Sequence, residues 1–387
     1  MKIAKSIKRL STETAFKVFQ RSIKLEKRGK KIIHLSLGQP DFKTPKNIVL
    51  AAKKALDKGF HGYTPSNGFF ELRKEVCLDA KKRYRVNVDP ENVLIVPGGK
   101  PIIFFSILMF SELGSEIIYP DPGFPIYKSV IEYSGSKAIP LKLTEKDNFQ
   151  INVKKMVSLI NHKTRLIIIN NPNNPTGSFM KKEKIDEIVK ALLKFPHVAI
   201  LSDEIYSRLI FDNHKMPSLL KYPALRNRLI VLDGWSKTYC MTGWRLGWGI
   251  WPKNLISHAN KLAVNDHSCA NAVSQIAGIE ALRGSQKTVK KILKEFEERR
   301  DLIYDGLNSL KNVSCFKPGG AFYAFPNVSK TNLSGDRFAE KALEEYGVAL
   351  VSGSSFGNSA KKYVRISFAN SKKNIIDALK ILKNMCN

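Results

Sequence analysis

Short apolar runs recur along this chain, separated by longer stretches of helical periodicity. Val93–Val96, Glu116–Tyr119, Ala138–Leu143, Arg165–Asn170, Val198–Leu201 and Leu229–Leu232 are rich in Ile, Val and Leu, and turn-forming residues follow most of them. Runs that are this short and this continuously apolar predict strands buried on both faces. Leu246–Trp251 predicts a seventh. Apolar spacing between the runs predicts helices over Pro45–Lys58, Phe69–Arg85 and Ile102–Phe110. Strands alternating with helices predict an α/β fold with a doubly wound, mostly parallel seven-stranded sheet.

After residue 280 the texture changes. A long charged helix is predicted from about Lys287 to Leu310, then short strands over Ala321–Phe325, Val348–Val351 and Tyr363–Phe368, with helices over Phe338–Tyr346 and Ile375–Met385. Residues 1–30 form a basic amphipathic start, and Ile32–Leu37 predicts one more strand. The expected organisation is a large domain over residues 41–280, with a smaller α/β domain built from residues 1–40 and 281–387.

Charge complicates the picture. With 64 basic and 34 acidic residues the chain carries a formal +30. The lysines are scattered through helical stretches, with no basic arm and no recognisable reader module, so a solvated lysine-rich face is favoured over a specific nucleic-acid site. The cysteines, Cys77, Cys240, Cys269, Cys315 and Cys386, are far apart and form no CxxC, which argues against disulfides and zinc. The start MKIAKSIKRL lacks an apolar signal core, and Ile102–Phe110 is too short to span a bilayer. A cytoplasmic protein without membrane attachment or metal is expected.

In doubly wound sheets ligands bind beyond the carboxyl ends of the strands. The chemically suggestive residues fall there: Gly99 and Lys100, Phe124, Asn174, Asp203 with Tyr206, and Lys237. Each also has an ordinary role. Lys237 reads as a surface lysine, Phe124 as core, Asn174 as a turn former, Asp203 as a helix cap and Arg365 as an edge-strand charge. One ligand accounts for all of them together. For a pyridine aldehyde phosphate, Gly99, Lys100, a helix N-terminus and Arg245 supply phosphate donors. Phe124 offers a ring partner, and Asp203 holds the proton on the ring nitrogen. Tyr206 and Asn174 reach the ring oxygen, and Lys237 forms the imine. Arg365 offers a planar fork to a substrate α-carboxylate. The absence of GxGxxG disfavours a nicotinamide oxidoreductase.

Asn173-Asn174-Pro175-Thr176-Gly177, Ser202–Tyr206 and Ser236–Gly247 resemble the NNPTG, SDEIY and SKxxxMTGWRLG motifs of the class I/II, fold type I aminotransferases, in their prokaryotic aspartate aminotransferase-like branch. The resemblance runs from Gly38 to Arg365. It implies pyridoxal 5′-phosphate (PLP) as cofactor and Lys237 as the Schiff-base lysine. Asp203, Tyr206, Asn174 and Arg245 would surround the cofactor, and Arg365, Gly38 and Phe124 would line the substrate site. It further implies amino acid and 2-oxo acid substrates, aspartate or a related amino acid with 2-oxoglutarate. A homodimer would follow, in which Tyr63 reaches the neighbouring subunit's phosphate. The alternatives are another PLP reaction on the same scaffold, such as β-elimination or decarboxylation, or transfer from aromatic or small neutral amino acids. Two positions depart from the pattern. Gly234 stands where many members carry a phosphate-binding serine, leaving Ser236 as a substitute. Lys100 matches a lysine that binds a distal carboxylate, yet Glu13 lies in the segment that covers the site and would repel such a group if it points inward.

Overall fold

A computed structural model describes all 387 residues. Its strands, in chain order, are β1 (Ile33–His34), β2 (Val93–Val96), β3 (Glu116–Asp121), β4 (Lys137–Lys142), β5 (Thr164–Asn170), β6 (Ala199–Asp203), β7 (Leu229–Gly234), β8 (Gly247–Ile250), β9 (Tyr323–Ala324), β10 (Val348–Ala349), β11 (Val351–Ser352) and β12 (Val364–Ser367). The helices are α1 (Thr14–Glu26), α2 (Lys46–Asp57), α3 (Phe70–Tyr84), α4 (Lys100–Phe110), α5 (Ile126–Ser134), α6 (Val153–Leu159), α7 (Lys182–Leu192), α8 (Ile256–His267), α9 (Ala272–Arg283), α10 (Lys287–Asn308), α11 (Gly335–Glu344) and α12 (Lys372–Cys386).

Seven strands form one sheet in the order β2-β8-β7-β6-β5-β3-β4. All neighbours are parallel except β8, which runs antiparallel to both β2 and β7. The runs are apolar because both faces are covered, except in the edge strand β4, where Lys137, Pro140 and Lys142 are exposed and the expectation of burial on both faces fails. Within β5, Ile167 and Ile169 enter one core while Leu166 and Ile168 enter the other, the two-residue period of a pleated strand. Asn170, Asp203 and Gly234 end three adjacent strands, so the side chains of the first two and the loops beyond all three meet at the carboxyl end of the sheet.

A further core gathers Leu35 with Phe296, Ile303, Phe322, Val348, Ile366 and Leu382, together with Leu209 and Phe211 from the middle of the chain. Here β11, β12 and β9 form an antiparallel sheet, and β1 pairs with β10 in parallel, Ile33 opposite Val348. Three expectations are corrected. The strand expected over Ile32–Leu37 shrinks to Ile33–His34, because the Ser36 and Gly38 carbonyls leave the ladder to meet Arg365 and Lys237. The run Val348–Val351 is shared between two sheets, the chain changing partners at Leu350. Ala321–Phe325 is a strand only at its centre, since Ala321 is left-handed at φ 59°.

Candidate active site

The turn after β7 places Lys237 at the sheet edge. Its ammonium donates to the Gly38 carbonyl at 2.7 Å and lies 5.9 Å from the Phe322 ring centroid. Burial, with the nearby Arg365 and Arg245 cations, pushes this amine down from 10.5 to about 8. A lysine so perturbed carries a usable neutral fraction near neutral pH.

On the neighbouring strand, Asp203 is buried. Its Oδ2 accepts from the Tyr127 hydroxyl at 2.6 Å and its Oδ1 from the Ile205 N–H at 3.2 Å. Burial lifts the carboxyl to about 6, against the pull of those hydrogen bonds. Asn174 follows β5, and its backbone N–H donates to Asn170 Oδ1 at 2.9 Å. Its own Oδ1 accepts from Arg365 Nη1 at 3.1 Å. Arg365 arrives from β12. Its Nη2 donates to the Ser36 carbonyl, its guanidinium lies 4.5 Å from the Tyr323 ring centroid, and its buried Nε has no partner. The Tyr206 and Tyr323 hydroxyls stand 2.9 Å apart. Tyr323 also explains Gly38, because a Cβ there would collide with the Tyr323 hydroxyl.

Gly98 and Gly99 lead into α4. Gly98 is left-handed at φ 82°, and a side chain on it would strike the Arg245 guanidinium. Arg245 donates to the Thr242 carbonyl at 2.8 Å and to the Pro97 carbonyl at 3.4 Å, and its side chain is exposed. Lys100 is not free: its ammonium is ion-paired with Glu13 and lies 6.0 and 5.7 Å from the Phe16 and Phe124 ring centroids. Glu13 therefore does point inward.

One cavity of about 500 Å³ is lined by every expected site residue except Tyr63, which is 92% exposed on the loop before α3. Ser236 lines it too. Gly234 sits directly opposite Gly247 in the β7–β8 ladder, and a Cβ on it would lie 3.1 Å from both the Gly247 Cα and Ile205 Cδ1. A serine there is tight, and its neighbours would have to give by a few tenths of an ångström. Tyr127 and Tyr323 were not singled out from sequence. Tyr127 lies among Ile126, Val130 and Ile131, and Tyr323 within Ala-Phe-Tyr-Ala-Phe, so both read as core.

A flat phosphorylated pyridine fits these groups. Two features of the one cavity carry the test: a half-buried lysine amine in the turn after β7, and at the end of the next strand a carboxylate kept dry and hydrogen-bonded. The unpartnered Arg365 Nε leaves a buried donor in a residue that lines the cavity. Such a site on such a sheet defines a PLP enzyme of fold type I.

The comparisons with known proteins carry this further. The family model described as aminotransferase class I and II matches residues 30–381. The aspartate aminotransferase of Pyrococcus horikoshii is 37% identical over 364 residues, 94% of this chain and 91% of that protein. Aromatic-amino-acid aminotransferase 2 of Thermococcus litoralis is 35% identical, covering 91% of this chain and 92% of that one. The crystal structure of the Rhizobium meliloti aspartate aminotransferase superposes with a TM-score of 0.95 at 29% identity, over 100% of this chain and 99% of that one. This chain belongs to the class I and II aminotransferase family. It is a PLP-dependent enzyme that moves an amino group between an amino acid and a 2-oxo acid. No helix is long and apolar enough to cross a membrane.

Proposed function

We propose that the amino donor is aspartate or a related L-amino acid and that the acceptor is 2-oxoglutarate. The observation that carries the reading is that Lys237 and Arg365 line one cavity, an amine of depressed basicity near a guanidinium fork with a spare N–H. The names of the relatives and the presence of Lys100 in the cavity wall support an acidic substrate. A second reading, a neutral or aromatic donor, is favoured by the pairing of Lys100 with Glu13.

In this reading Asp203 faces the ring nitrogen, Tyr206 and Asn174 the ring oxygen, and Phe124 the ring face. Gly99, the start of α4 and Arg245 hold the phosphate. Bound PLP supplies an electron sink that makes the substrate α-proton acidic. Arg365 fixes the α-carboxylate and so the orientation of the α-carbon bonds. Lys237 tethers the cofactor between turnovers. Once released, its amine takes the α-proton and returns it across the C–N bond, which its lowered basicity suits. Tyr127 keeps Asp203 ionised by donating to it.

The exposed Tyr63 fits a role across a subunit boundary, so the working unit is taken as a homodimer with shared sites. A cytoplasmic location and division into a 41–280 domain and a 1–40 plus 281–387 domain complete the proposal. The separate core around Leu35 supports that division. The test is to mix holoenzyme with a panel of amino acids and follow conversion of the cofactor's visible band, then reduce a second sample with borohydride and digest it. Conversion by aspartate or glutamate, with cofactor mass on the peptide containing Lys237, is expected. Ammonia release in place of amino transfer, or an unlabelled peptide, would overturn it.

A further inference from the structure

Glu13 occupies the N-cap position of α1, where a short side chain would normally cap the first turn. It makes no capping hydrogen bond. Its carboxylate turns instead into the cavity and takes the Lys100 ammonium. The segment before it is strapped down. Arg9 donates to the Glu132 and Tyr133 carbonyls on α5, and Ser11 and Ser129 exchange two hydrogen bonds, from Ser11 N–H to Ser129 Oγ and from Ser129 Oγ to the Ser11 carbonyl. Glu13 is thus held in the cavity wall by its own backbone.

The consequence is a matter of charge. Arg365 has a spare donor and faces the ligand's α-carboxylate. With Lys237 and Arg245 assigned to the cofactor, Lys100 is the remaining cation of the wall that could meet a second carboxylate, and it already has one. Around that pair the wall is apolar, with Phe16, Phe124 and Ile103. An uncharged side chain can lie against these rings without disturbing the pair. An acidic side chain must take Lys100 from Glu13 and leave Glu13 facing another carboxylate, and like charges at such range are costly.

Resting on the aminotransferase reading above, we propose that Glu13 is a specificity-determining residue. It acts as a resident stand-in for a substrate's distal carboxylate: aspartate and 2-oxoglutarate are accepted at the cost of displacing it, and uncharged side chains, above all aromatic ones, gain ground on them. Acidic substrates are processed through displacement of Glu13 from Lys100.

The test compares wild-type and Glu13→Gln holoenzyme in single-turnover conversion of the cofactor band by aspartate, glutamate and phenylalanine. Glutamine keeps the shape and removes the charge. The acidic-to-aromatic ratio of kcat/KM is expected to rise about tenfold or more, and KM for 2-oxoglutarate to fall. As a readout independent of turnover, maleate should bind Glu13→Gln more tightly, relative to 3-phenylpropionate, by a similar factor. Glu13→Thr serves should the glutamine variant not fold, and the same rise is expected of it. A ratio within twofold of wild type, in enzyme that transaminates normally, overturns the role of Glu13 and leaves the aminotransferase reading standing. Wild-type enzyme that converts no amino acid overturns the reading on which it rests.

Discussion

Removing the Tyr127 hydroxyl isolates one interaction at the heart of the site. Tyr127 is fully buried, and its hydroxyl reaches only Asp203, at 2.6 Å. Phenylalanine keeps the ring and its packing against Phe124. Asp203 already sits at about 6 rather than 3.8, chiefly through burial. Holding it ionised above that pH costs the empty protein about 3 kcal/mol. The sign is that of a raised acid: the folded state takes up a proton that the unfolded state lacks, so this group makes the protein more stable as pH falls from about 6 toward 4. A hydrogen bond to a charged group is worth about 1.5–3 kcal/mol, so its loss should raise Asp203 by a further one to two units. Cofactor affinity, measured by fluorescence titration across pH, should therefore weaken on acidification with a midpoint about one to two units higher in Tyr127→Phe than in wild type. The cofactor phosphate also titrates near this range, but equally in both proteins, so the difference belongs to Asp203. An unmoved or lowered midpoint would refute the assignment of Tyr127 as the donor that keeps Asp203 charged.

Three further outcomes are expected. Lys237→Ala should lose essentially all transamination and all borohydride labelling while still binding the cofactor, and retained turnover would remove Lys237 from the chemistry. Arg365→Lys keeps the charge but loses the planar fork, so kcat/KM should fall about a hundredfold, some 3 kcal/mol, for every amino acid alike; a loss confined to acidic substrates would instead assign Arg365 to the side chain. Gly234→Ser puts a Cβ 3.1 Å from the Gly247 Cα, and denaturant unfolding should show a loss of about 1–3 kcal/mol; a gain would show that the β7–β8 ladder yields.

The sheet was legible because its strands are buried on both faces and read as unbroken apolar runs, and because the polar residues that end them can only lie at its edge. Asp203, Tyr206 and Lys237 were readable for that reason. Arg365, Ser36 and Gly38 meet them from the other core, through contacts that no local period encodes. Tyr127 and Tyr323 were hidden by their neighbours: a tyrosine amid isoleucines or phenylalanines looks like packing, and only the partner of its hydroxyl says otherwise. Glu13 was visible as a charge, but its direction was not, since an N-cap glutamate has two places to send its carboxylate.

The parallel ladder between Ile33 and Val348 sets an order of assembly. A ribosome delivers those two residues at opposite ends of synthesis. The seven strands of the large sheet are complete once residue 250 has emerged, although its cores still await Ala259, Ala263 and Ala277 from the next two helices. The Ser36 carbonyl stays without its Arg365 donor until β12 arrives. Arg365 is made 128 residues after Lys237, so a nascent chain carries the amine before the guanidinium that shares its cavity.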